Sequence, residues 1–118
     1  MESEKGTFFV DLDGTVIHTR TSEALPYAVE KINAAYEEGF MIVITTYRGK
    51  NWPKSSPFTI EKTEKLLEEI GLKWHHIIWD SPSPRIIIND DKVGALKHPQ
   101  NQSWESFNLK RFSFNITP

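Results

Sequence analysis

Residues 7 to 15 read Thr-Phe-Phe-Val-Asp-Leu-Asp-Gly-Thr, a short apolar run that ends abruptly in two carboxylates one residue apart. A run this short, rich in aromatic and β-branched residues, predicts a buried strand. Side chains alternate along a strand, so Asp11 and Asp13 share a side while Leu12 faces away. Gly14 then lets the backbone leave the strand sharply. Two carboxylates at the end of a buried strand are costly unless something positive sits between them. A hard divalent cation such as Mg²⁺ meets that need with oxygen ligands. The plainer alternative is a pair of turn or cap aspartates, because Asp-x-Asp-Gly also occurs in loops. The quality of the strand in front of the pair argues against it.

The rest of the chain repeats the same grammar. Residues 24 to 38 carry Leu25, Ala28, Val29, Ile32, Ala35 and Tyr36 at helical spacing, and Gly39 stops the helix. Ser22 is placed to cap it. Phe40 to Ile44 is a continuous apolar run suited to a strand buried on both faces. Strand, helix and strand make a right-handed βαβ unit, and parallel sheets take their ligands outside the carboxyl ends of their strands. This second strand runs into Thr45-Thr46-Tyr47-Arg48-Gly49. A loop over 49 to 58 with Lys50, Trp52 and Lys54 follows, at the lip of the inferred site.

A second helix is predicted from Thr59 to Ile70, closed by Gly71. His75 to Trp79 is a third strand, whose adjacent histidines point opposite ways and are structural. Arg85-Ile86-Ile87-Ile88 is a fourth, again ending in polar residues, Asn89-Asp90-Asp91. The gap between these two strands, residues 80 to 84, is short for a parallel crossover, which needs roughly a dozen residues. The aromatics Trp104, Phe107, Phe112 and Phe114 give residues 95 to 118 the character of a segment that covers the core or forms an interface.

Length and composition set limits. The 118 residues make one domain, and a net charge of −2 gives no reason to expect nucleic acid as a partner. With no Cys, there is no thiol nucleophile, disulfide or thiolate metal site. No stretch has the length and apolarity of a membrane span, and residues 1 to 6 lack a signal peptide's apolar segment. The simplest expectation is a soluble cytoplasmic protein, compatible with a homo-oligomer.

Phe8-Phe9-Val10-Asp11-Leu12-Asp13-Gly14-Thr15-Val16 resembles motif I of the haloacid dehalogenase (HAD) superfamily in full. The resemblance covers residues 7 to 94 and implies an α/β fold, a Rossmann-like three-layer α/β/α arrangement with a small parallel sheet and no cap domain. It makes Asp11 the nucleophile and Asp13 the general acid/base. Thr45, or failing it Thr46, stands where motif II binds phosphate, and Arg48 matches the Thr/Ser-x-Arg of small cap-less members. Asp90 falls at motif IV as a metal ligand beside Asp11 and Asp13, with Asn89 and Asp91 as its neighbours. Motif III, a Lys, has no counterpart in residues 80 to 85. Arg85 is the closest cation, and Lys92, Arg48 and Lys54 are alternatives. The implied activity is a Mg²⁺-dependent phosphomonoesterase that works through an aspartyl-phosphate on a small phosphorylated substrate, a sugar phosphate or a nucleotide. A catalytically weak phosphate- or partner-binding module and a phosphotransferase are the alternatives.

Overall fold

The computed structural model describes residues 5–112. Strand β1 (Thr7–Asp11) leads through a loop to helix α1 (Ala28–Glu37), then to β2 (Met41–Thr45), α2 (Ile60–Glu69) and β3 (His76–Ile78). The three strands form one parallel sheet in the order β1-β2-β3. Its register sets Asp11 level with Thr45, and Thr45 level with Ile78, so the carboxyl ends of the strands form one row.

Alternation along the strands sorts the sheet into two unlike faces. Val10, Leu12, Ile42 and Ile44 share one buried cluster with Ala28, Ile32 and Ala35 of α1 and Leu67 of α2. Phe9 and Ile78, on the opposite face, are 54% and 43% exposed. Residues 5–112 therefore build two layers, a sheet with both helices on one side. The three-layer arrangement is not formed among the described residues.

Local chemistry moves some element boundaries. α1 starts at Ala28 rather than near residue 24, because Pro26 precedes Tyr27, which takes a left-handed conformation (φ 67°) as the N-cap. Ser22 does not cap this helix. Thr59 caps α2 instead of joining it, its hydroxyl accepting from the Lys62 amide at 3.4 Å. The third strand is confined to three residues. Next to it, His75 Nδ1 accepts from the Ile42 amide and its ring stacks on Tyr36, a structural role.

The expected fourth strand at 85 to 88 is not formed, and Ile86, Ile87 and Ile88 are 84%, 54% and 94% exposed. Pro82 and Pro84 supply no amide hydrogens, and Arg85 is held back against β1 and Ser81. The few residues after β3 thus turn toward the end of β1 and do not cross the sheet.

The C-terminal segment covers the core as expected from its aromatics. Trp104 is 1% exposed, lies in the buried cluster and packs edge-on against Phe107. Lys31 Nζ donates to the carbonyls of Glu105 and Phe107, tying the segment to α1. Phe114 lies outside the described residues.

Candidate active site

Two carboxylates come to the carboxyl end of β1 because the strand stops there and folds back. The amides of Thr15, Val16 and Ile17 all donate to the Leu12 carbonyl, and the Gly14 amide donates to Ile17. Gly14 adopts φ +85°, and a Cβ there would lie 3.1 Å from Gln100 and 3.2 Å from Thr19. Leu12, Val16 and Ile17 are fully buried and nail this turn to the core. A small hairpin then runs out and back, with Ile17 bridged to Ala24 and the Leu25 amide on the Val16 carbonyl. His18 and Arg20 sit in its tip, where His18 Nδ1 accepts from the Arg20 amide.

Each acid has its own guanidinium. Asp11 accepts from Arg85 Nη1 at 2.8 Å on Oδ1 and from the Thr15 hydroxyl at 3.1 Å on Oδ2. Arg85 is oriented by Ser81, donating to both its hydroxyl and its carbonyl. Asp13 accepts from Arg48 through both oxygens, from Nε at 2.9 Å and Nη2 at 2.8 Å. This two-pronged pairing is the strong geometry for a guanidinium and a carboxylate. Arg48 is only 3% exposed, and also reaches Thr63 and Ser22 and stacks over Phe58 at 4.5 Å.

The strand after α1 supplies the neighbouring wall. Thr45, level with Asp11, is buried to 7% exposure and its hydroxyl has no hydrogen bond among the described residues. The Thr46 hydroxyl accepts from the Arg48 amide, so it serves the turn rather than the cleft. Asp80 and Ser81 pin this turn from the end of β3. The Asp80 amide donates to the Arg48 carbonyl and the Ser81 amide to Thr46. The Asp80 carboxylate lies against Gly49, where a Cβ would come within 2.5 Å of it. Asp80 had no role in the sequence beyond a turn; its close match to a glycine across the fold has no local signature.

Asp11, Asp13, Tyr47, Pro82, Ser83 and Arg85 line an open cleft of about 430 Å³. The structure thus brings together Asp11, Asp13, Thr45, Arg48 and Arg85. It does not bring Asp90 to them: Asp90 follows the undocked isoleucines and is exposed, as are Asn89, Asp91 and Lys92. Lys50 and Lys54 do not line the cleft. Among the described residues no group of three His, Cys, Asp or Glu side chains is placed to hold a metal ion. With both carboxylates matched by arginine, a Mg²⁺ would find oxygen ligands at Asp11 and Asp13 only if those pairs opened.

Trp104 and Asn101 are supporting residues that sequence reasoning missed. The Trp104 indole donates to the Thr15 carbonyl, directly behind the hydroxyl that touches Asp11. The Asn101 amide donates to the Gly14 carbonyl, and its side chain holds Thr19 at both backbone and hydroxyl. No family model matches the chain, and neither a curated protein nor a solved structure matches it.

Proposed function

We propose that the protein is a HAD-like phosphatase that hydrolyses phosphate monoesters through Asp11. The observation that carries this reading is a carboxylate at the carboxyl end of a parallel strand, facing an open cleft, with Arg85 on one oxygen and, on the adjoining strand, the Thr45 hydroxyl without a hydrogen bond among the described residues. A bare carboxylate repels a phosphate dianion. A guanidinium at 2.8 Å offsets that repulsion where the two must meet, which is the task of the Lys that this chain lacks.

In the reaction an Asp11 oxygen attacks phosphorus while the ester P–O bond breaks in line with it. The departing oxygen takes a proton from Asp13. Water then attacks the aspartyl-phosphate, giving its proton to Asp13, and phosphate and free Asp11 result. Both Asp13 oxygens accept from Arg48, which favours the ionised carboxylate and opposes its protonation while the pair is closed. A substrate phosphate is itself a two-pronged acceptor and competes for the same guanidinium. Arg48 therefore acts as a phosphate clamp only after it releases Asp13.

The Arg48–Asp13 lock also favours the second reading, a module that binds phosphate without turning it over. Release of phosphate from an aryl phosphate, with Mg²⁺ added or chelated, separates the two. A phosphatase gives turnover that Asp11→Asn abolishes; a binding module gives none above that variant. Added alcohol acceptors, if phosphorylated, identify a phosphotransferase.

A further inference from the structure

Tyr47 is exposed between two residues that are not. Thr46 and Arg48 are 1% and 3% exposed, whereas Tyr47 is 56% exposed and lines the cleft that holds Asp11 and Asp13. The backbone around it is fixed. The Thr46 amide donates to Ile78, the Arg48 amide to the Thr46 hydroxyl, and the Asp80 and Ser81 amides return to Arg48 and Thr46.

The ring is also propped from behind. Trp52 donates its indole N–H to the Tyr47 carbonyl and stands edge-on to the ring, with centroids 5.9 Å apart and planes at 78°. Phe58 braces Trp52 in turn at 5.0 Å, and Arg48 lies over Phe58. A chain of aromatic contacts thus joins the exposed ring to the guanidinium on Asp13. An aromatic held in place yet left half open to water offers its face to a ligand.

We propose that Tyr47 is the platform on which the organic group of the substrate stacks, and that the substrate class is a phosphate monoester with a flat aromatic group, such as a nucleoside monophosphate or an aryl phosphate. This rests on the phosphatase reading of the same cleft. Beyond the acids and Arg85, the cleft wall consists of Tyr47, Pro82 and Ser83. A polyhydroxylated sugar needs several hydrogen-bond partners there and finds two hydroxyls, those of Tyr47 and Ser83. An aromatic face needs only the ring and the adjoining proline.

The test compares phenyl phosphate with glycerol phosphate for wild type, Tyr47→Ala, Tyr47→Leu and Tyr47→Phe, with Asp11→Asn as the blank. Stacking against an aromatic side chain predicts that Tyr47→Ala and Tyr47→Leu lose on the order of tenfold in kcat/KM for phenyl phosphate, mainly through KM. Glycerol phosphate loses less, so the preference for phenyl phosphate falls several-fold, and Tyr47→Phe retains that preference. Tyr47→Leu retains the bulk of the side chain, so it carries the test if the alanine variant does not fold. Equal losses with both substrates, or no loss with phenyl phosphate, overturn the platform while leaving the phosphatase intact. Absence of any phosphate release above Asp11→Asn overturns both.

Discussion

Asp11 and Asp13 lie two residues apart, yet their partners come from different parts of the chain and suit different tasks. Arg85 and Asp11 are 25% and 39% exposed, so their attraction is screened and worth little to stability. On the proposed reading its value is electrostatic, at the point where the phosphate approaches. Arg48 is buried, and of its partners only Asp13 lines the cleft, while Thr63, Ser22 and Phe58 belong to the scaffold. Arg48→Met keeps much of the stem but removes the fork. Asp13 retains some contact with water, so the expected loss is moderate, about 1–3 kcal/mol in urea denaturation. A loss below about 0.5 kcal/mol, the range of ordinary surface substitutions, means that the lock adds nothing to the fold.

Among the elements, the carboxylate pair was legible because strand and turn are local. Phe8-Phe9-Val10 announces the strand, and Gly14 announces its end. The two helices were legible from spacing, and a capping hydroxyl or a Pro-Tyr step moved their limits. The isoleucines at 86 to 88 misled for a physical reason. An apolar run reports that burial is favourable, but not whether a free sheet edge lies within reach. Arg85 is anchored at Asp11 across 74 positions, and no sequence pattern signals such a pairing. The same holds for Trp104, whose type promised burial but whose partner is a backbone carbonyl 89 positions away. If residues 86 to 88 are undocked, Ile88→Ser changes the melting temperature little, as a surface substitution within about 0.5 kcal/mol does. A loss of about 2 kcal/mol or more, the scale of a buried Ile, means that the segment packs in solution.

Over the described residues, the core lies on one side of the sheet, and the C-terminal segment completes it while reaching the turn after Asp11. Trp104, Lys31 and Lys110 fasten that segment to the rest. The Lys110 hydrogen bond holds the Glu38 carboxyl below its ordinary value; burial opposes it, and the Lys110 and Lys5 charges assist. A carboxyl depressed in the folded state stabilises it above the unfolded value, and that contribution is lost as pH falls through the folded one. Hydrogen exchange at the Trp104 and Phe107 amides is therefore expected to quicken as pH drops through the carboxylate range, after correction for intrinsic rates. Glu38→Gln removes that step, and salt weakens it because the pair is exposed. An unchanged pH profile in Glu38→Gln places the sensitivity elsewhere.

On the proposed reading, Asp11 is a nucleophile whose charge Arg85 offsets. The most direct measurement is the intact mass of the protein, acid-quenched during turnover of phenyl phosphate, for wild type, Asp11→Asn and Arg85→Gln. A phosphate-mass adduct is expected in the wild type and none in Asp11→Asn. Adduct formation is expected to slow by roughly 10²–10³ in Arg85→Gln, the scale for losing one charge-stabilising donor. Turnover in the wild type with an equal adduct in Asp11→Asn, or an Arg85→Gln variant as fast as wild type, would contradict that reading.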